Sequence, residues 1–76
     1  MYITISIEAE GNMYRLSIDD RQYASAAVSI LKERGLIDEK VMPKLYKSAL
    51  IGEWIRSDMT FADQGIVSGD LLFAKA

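Results

Sequence analysis

A chain of 76 residues, half of them apolar and 26% charged, is long enough for one small hydrophobic core, which predicts a single folded domain over residues 1–76. The formal net charge of -2, with basic residues scattered along the chain, argues against a nucleic-acid-binding surface. Histidine and cysteine are both absent, so the commonest general base, nucleophile and zinc ligands are missing, and no catalytic, metal or cofactor site is predicted.

The first two elements are predicted to be the strands of a β-hairpin. Isoleucines alternate with polar residues over positions 3–8, which is the period of a half-buried strand. A second alternating run places Tyr14, Leu16 and Ile18 on one face. Between the two runs, Glu10-Gly11-Asn12 has the composition of a tight turn.

A helix is predicted after Asp20, where the apolar period lengthens to that of a helix. Its apolar side would consist of Tyr23, Ala24, Ala27, Val28, Ile30 and Leu31. Asp19 or Asp20 is predicted to cap the first turn, and Gly35 to end the helix in a left-handed conformation. A helix cap explains these adjacent aspartates better than a catalytic carboxylate pair does.

The second half of the chain is predicted to supply the remaining strands. After a connector over residues 36–43, residues 44–49 form a strand with Leu45 in the core, residues 53–55 a short strand, and residues 71–75 the closing strand. Strands on both sides of one helix predict the α+β class, with a mixed sheet of four or five strands and its first and last strands parallel at the centre. The predicted core comprises Ile3, Ile5, Ile7, Leu16, Ala27, Leu31, Leu45, Phe61, Ile66 and Leu71.

The turn-rich segment before the last strand contains three further aspartates. Their spacing matches no calcium-binding loop, so we interpret Asp58, Asp63 and Asp70 as turn-stabilising residues. No apolar stretch approaches the roughly 20 residues that span a bilayer, and residues 1–9 lack the features of a signal peptide. Direct membrane insertion is therefore not predicted.

The order of these elements resembles the ubiquitin-like β-grasp fold over nearly the whole chain. The segment from Thr60 to Ile66 is similar to the threonine-leucine…aspartate…isoleucine turn of ubiquitin, and a helix ending at Gly35 is similar to its helix exit. A narrower resemblance is to the YukD/EsaB family of small ubiquitin-like proteins from bacterial type VII secretion loci. It is carried by Asp63, Gly65-Ile66 and Gly69-Asp70.

The resemblance implies a non-enzymatic, cytoplasmic accessory or regulatory protein that binds a component or regulator of a type VII secretion system. The alternative is a ubiquitin-like interaction module or adaptor unrelated to secretion, and the sequence leaves its oligomeric state open. A conjugated modifier or a sulfur carrier needs a C-terminal glycine tail. Because the printed sequence ends in Ala74-Lys75-Ala76, we expect neither role.

The outward face of the sheet is the candidate protein-binding face. If Leu45, Leu71 and Phe73 point into the core, alternation turns Tyr46, Leu72 and Ala74 outward, where they would form one apolar patch. Ubiquitin binds most partners through the corresponding face, so the resemblance implies docking there; scattered exposed apolar residues are the alternative. Trp54 is interpreted as packing against the rim of the core, with an interface anchor as its alternative.

Overall fold

A computed structural model of the protein describes residues 1–37 and 44–75, with the side chains of Lys44 and Tyr46 outside that description. Most of the predicted connector therefore falls outside the described residues. The elements in chain order are β1 (Tyr2–Ala9), β2 (Asn12–Asp19), α1 (Ser25–Glu33), β3 (Lys44–Ser48) and β4 (Leu71–Lys75). The four strands form one sheet in the order β2-β1-β4-β3.

The N-terminal hairpin forms as its alternation predicts. Ile3 pairs with Ile18 and Ile5 with Leu16, so the isoleucine face of β1 and the apolar face of β2 lie on the same side of the sheet. A two-residue turn joins the strands, with φ of 53° at Glu10 and 79° at Gly11. Positive φ at both central positions matches the twist of the flanking strands, which explains why the turn contains a glycine.

Helix α1 starts later than predicted and is not capped by an aspartate. Ala24 occupies the N-cap position without a side-chain hydrogen bond. Backbone acceptors from residues 57–59 take over that role, because Ala24 N–H donates to the carbonyl of Met59 at 3.0 Å and Ser25 N–H to that of Ser57 at 3.4 Å. The prediction that Asp19 or Asp20 caps the helix is wrong.

The end of α1 follows the prediction. Gly35 has φ of 70°. The N–H of Leu36 donates to the carbonyl of Leu31 at 3.0 Å, and that of Gly35 to the carbonyl of Lys32 at 2.9 Å. This pair of bonds is a Schellman motif, which satisfies carbonyls that the helix itself leaves without donors.

The chain ends meet at the centre of the sheet, as predicted. β4 runs parallel to β1 and antiparallel to β3, so it lies between them. Just before β4, the N–H of Gly69 donates to the carbonyl of Thr4 at 2.8 Å, and the N–H of Thr4 donates to Ser68 Oγ at 2.9 Å. Residues 53–55 contribute only an isolated bridge between Trp54 and Lys47 in place of the predicted short strand.

The hydrophobic core lies between the sheet and α1. Every residue of the predicted core is buried except Leu71, which is half-buried, and Leu72 is buried in its place. The structure adds the buried side chains of Ala9, Ile18, Ala24, Val28 and Ile37. Phe61 has no exposed surface and anchors the turn-rich segment to the rest of the core.

Candidate protein-binding surfaces

The outward face of the sheet carries a short apolar strip flanked by charges. Phe73 pairs with Glu8 on β1 and with Lys47 on β3, and directly paired residues present their side chains on the same side of a sheet. Leu71 and Lys75 share this side by alternation along β4. We define the sheet face as Glu8, Lys47, Leu71, Phe73 and Lys75.

Leu72 does not belong to this face, and its predicted outward orientation is wrong. Its side chain has 0% exposure, and its direct partner on β1 is Ile7, which is also fully buried. Because paired residues share a side, the parallel register with β1 turns Leu72 into the core and Leu71 and Phe73 away from it. The assignment of the two faces of β4 is therefore the reverse of the prediction.

Of the other two predicted face residues, Ala74 also turns towards the core. It pairs with the buried Leu45, is half-buried and packs against the core cluster. The backbone of Tyr46 lies in β3 at a register shift between Leu45 and Lys47, and its side chain is outside the described residues. The structure thus does not bring the predicted patch together on the outward face.

The sheet face combines apolar area with positive charge. Leu71 and Phe73 are half-buried, whereas Lys47 and Lys75 are exposed at the side and end of the strip. Glu8, on the β1 side, is half-buried. Apolar side chains surrounded by a polar rim are the usual composition of a protein-binding surface.

Trp54 marks a second surface, and its predicted packing against the core rim is wrong. The residue is 77% exposed, which is unusual for tryptophan. An isolated bridge to Lys47 joins its backbone to β3, and the neighbouring Ile55 packs against the core. Sequence reasoning followed the average burial of tryptophan, although the alternative interpretation as an interface anchor was open.

A cavity of about 270 Å³ opens beside Trp54. Its apolar wall is formed by Ile51, Trp54, Ile55, Met59 and Ile66, and its polar wall by Ser48, Glu53, Arg56, Asp63 and Gln64. Sequence analysis missed this cavity because its residues come from the turn after β3 and from two later turns. No periodic pattern relates those segments.

Two hydrogen-bond networks fix the walls of the cavity. Asp70, only 1% exposed, accepts from Ser48 Oγ at 2.5 Å and from the N–H of Leu50 at 3.2 Å. Ser48 Oγ in turn accepts from the N–H of Ile51 at 3.2 Å. This network holds the turn after β3 against the start of β4, which agrees with a turn-stabilising role for Asp70.

The second network is centred on Gln64. Its Oε1 accepts from the N–H of Arg56 at 2.6 Å, and its Nε2 lies 2.9 Å from the carbonyl of Arg56 and 3.2 Å from that of Met59. One amide therefore ties both ends of the 56–59 turn to the segment that follows. The cavity wall is consequently held by hydrogen bonds within the chain.

Some of the charged side chains form surface ion pairs. Arg56 binds Asp58 through Nη2–Oδ2 at 2.9 Å and Nε–Oδ1 at 3.1 Å, and its guanidinium lowers the pKa of the Asp58 carboxyl. Within residues 1–37 and 44–75, no group of three or more acidic, histidine or cysteine side chains is placed to hold a metal ion. No helix in the same part of the chain has the length and apolar character needed to cross a membrane.

Comparison with known proteins identifies the fold. The sequence matches no protein-family model and no curated protein. Three similar solved structures are a designed protein based on ubiquitin, the EccD5 ubiquitin-like domain from Mycobacterium xenopi and the ubiquitin-like domain of Plasmodium falciparum Dsk2.

The similarity extends over almost the whole chain. The designed protein is 17% identical with a TM-score of 0.76, over 97% of this chain and 87% of that one. The EccD5 domain is 18% identical with a TM-score of 0.64, over 99% of this chain and 93% of that one. The Dsk2 domain is 15% identical with a TM-score of 0.64, over 99% of this chain and 100% of that one. The predicted α+β class is confirmed: the chain has the ubiquitin-like β-grasp fold, with four mixed strands packed on one helix.

Proposed function

We propose that this protein is a non-enzymatic module that binds another protein through its sheet face. The observation that supports this most directly is the position of Leu71 and Phe73, two apolar side chains on the outward side of a strand. Exposed lysines at positions 47 and 75 flank them. Aromatic and aliphatic side chains within a polar rim are the residues that anchor protein interfaces.

The finer proposal is a cytoplasmic accessory or regulatory protein of a bacterial type VII secretion system. It is supported by the resemblance carried by Asp63, Gly65-Ile66 and Gly69-Asp70. In this fold Gly65 and Gly69 have φ of 75° and 91°, and Asp70 is the buried acceptor of the turn after β3. The segment is thus a structural signature of the last turn, and the secretion role rests on its likeness to the YukD/EsaB proteins.

The second candidate is a ubiquitin-like adaptor unrelated to secretion. It is favoured by the similarity to the Dsk2 domain, which has the same TM-score of 0.64 as the similarity to the EccD5 domain. The genes beside this one separate the candidates. We expect an FtsK-like ATPase and small helical secreted proteins to be encoded nearby for the secretion role, and neither for the adaptor.

Binding to soluble domains of that neighbouring ATPase tests the sheet face. We expect Phe73→Ser to weaken binding by about thirtyfold in calorimetry, because an interface anchor contributes about 2 kcal/mol. Lys47→Glu combined with Lys75→Glu changes only exposed side chains, so it tests the same face even if Phe73→Ser is unstable. Tyr23→Ser, which removes a 57% exposed aromatic outside the sheet, is the matched control. Wild-type affinity in folded sheet-face variants would show that docking occurs elsewhere.

A further inference from the structure

The cavity beside Trp54 has the size and lining of a site for one side chain. Its volume is about 270 Å³. Pockets that hold drug-sized ligands or cofactors have volumes of roughly 300–1,000 Å³, so this one is too small for most of them. Ile51, Ile55 and Met59 line it, and Leu50, 62% exposed, lies next to Ile51 in the chain. An aliphatic side chain fits this wall best.

The charges on the cavity wall favour one sign of charge in the partner. Glu53 and Asp63 both line the cavity, and neither makes an ion pair with any other described residue. Arg56, the one cation among the described lining residues, is bound to Asp58 by two hydrogen bonds, so its charge is offset locally. Lys47 pairs with Trp54 and is not among the lining residues. The cavity wall therefore presents two carboxylates to a ligand, and a cationic group is their electrostatic complement.

Trp54 strengthens the preference of the cavity for a cationic group. It is 77% exposed and lines the cavity. A lysine or arginine side chain that approached Glu53 would pass close to Trp54, whose ring attracts cations to its face. One residue can thus cover an apolar anchor and contact a neighbouring cation, as tryptophan does at many interface hot spots.

From this geometry we infer that the cavity is a second docking site, which accepts a peptide segment with one long aliphatic side chain flanked by lysine or arginine. The apolar side chain enters the cavity between Ile51 and Met59, and the flanking cations face Glu53 and Asp63. The hydrogen bonds of Asp70 and Gln64 hold the walls in place beforehand, which limits the ordering cost of binding. Trp54 pairs with Lys47 of the sheet face, so this site borders that face and extends the binding surface towards the turn after β3.

Blocked heptapeptides test the inference, with binding followed by the fluorescence of Trp54, the only tryptophan in the chain. The first peptide has a central leucine flanked by lysines, the second replaces the lysines with glutamates, and the third replaces the leucine with serine. We expect the lysine–leucine peptide to bind roughly threefold to tenfold more tightly than the glutamate peptide at low salt. This ratio of affinities should fall towards one near 0.5 M salt, because the Debye length there is on the order of 4–5 Å and the charges are screened. The serine peptide should bind roughly tenfold more weakly or worse.

Matched variants locate the site. Glu53→Gln with Asp63→Asn should abolish the preference for lysine over glutamate and retain the preference for leucine over serine. The control, Glu10→Gln with Glu33→Gln, also removes two exposed carboxylates but outside the cavity, and should behave as the wild type. The sheet-face proposal is tested by Phe73→Ser against the ATPase domain, and this inference by Glu53→Gln with Asp63→Asn against the peptides, so failure of one is distinguishable from failure of the other.

Three results would overturn the inference. The first is no change in Trp54 fluorescence, and none in the methyl resonances of Ile51, Ile55 and Met59, up to about 1 mM lysine–leucine peptide. The second is equal affinity for the lysine and glutamate peptides at low salt. The third is a charge preference that persists when Glu53 and Asp63 are both neutralised.

Discussion

Adjacent leucines at the start of β4 occupy opposite environments. Leu72 has 0% exposure and pairs with the buried Ile7, whereas Leu71 is half-buried on the sheet face. The two side chains are chemically identical and one position apart, so each serves as the other's control. The difference in unfolding free energy lost when each is truncated to alanine therefore reports which face of β4 is turned inward.

We expect Leu72→Ala to lower the free energy of unfolding by about 2–5 kcal/mol, because it removes buried apolar area and leaves a cavity. Leu71→Ala should cost about 1 kcal/mol, since part of that side chain is already in water. Urea denaturation of both variants measures the difference. Equal costs, or a larger cost at Leu71, would contradict the register described for β1 and β4.

At the scale of elements, the hairpin and the helix could be predicted from the sequence because their apolar and polar residues alternate with a clear period. β4 could not be oriented in this way. Leu71 to Ala74 are four apolar residues in succession, and such a run fits either face equally well. The orientation of β4 is decided by its pairing with β1, whose residues lie more than 60 positions away in the sequence. The start of α1 was misplaced for a related reason, since its N–H acceptors come from residues 57–59.

The candidate surfaces were less predictable than the fold. The sheet face was predicted with the wrong β4 residues, because its composition depends on that long-range register. The cavity required Asp70 and Gln64 to tie separate turns together, and side-chain networks of this kind leave no periodic signal. The exposure of Trp54 opposes the usual burial of its residue type.

The C-terminus of α1 depends on one residue that adopts a left-handed conformation. Gly35 has φ of 70°, and a Cβ atom built there would meet no heavy atom within 4 Å. The penalty of Gly35→Ala is therefore conformational rather than steric, and we expect a loss of about 1 kcal/mol in thermal or urea unfolding. Gly35→Asn should lose less, because asparagine adopts this conformation more readily. A neutral or stabilising alanine would show that the Schellman motif is absent in solution.

At the scale of the whole molecule, acid stability should depend on the junction between β2 and the segment leading to α1. Asp19 closes β2 and binds Arg21 through Nη2–Oδ2 at 2.7 Å and Nε–Oδ1 at 3.1 Å. It also accepts from the backbone N–H of Arg21 at 3.0 Å. These hydrogen bonds, led by those from the guanidinium, hold the pKa of the Asp19 carboxyl well below its usual range.

A carboxyl whose pKa is lower in the folded chain than in the unfolded chain stabilises the fold only while it is ionised. Its contribution is therefore complete above the unfolded pKa of about 3.9 and is lost as the pH falls from there towards the folded pKa. Asp19→Asn removes this dependence while it keeps an oxygen that accepts from Arg21. We expect the difference in unfolding free energy between wild type and Asp19→Asn to be constant from pH 7 to about 5 and to shrink below about pH 4.

Urea denaturation across this pH range provides the measurement, and two further variants serve as comparisons. Asp58→Asn removes a second carboxyl with a lowered pKa, but both side chains of its pair with Arg56 are 68% exposed, so solvent screens the pair and the effect should be smaller. Asp63→Asn removes an exposed carboxylate that makes no ion pair within the described part of the chain, and controls for the loss of one negative charge. A difference for Asp19→Asn that stayed the same from pH 7 to 2 would mean that Asp19 titrates alike in the folded and unfolded chains, and that Arg21 does not hold it in solution.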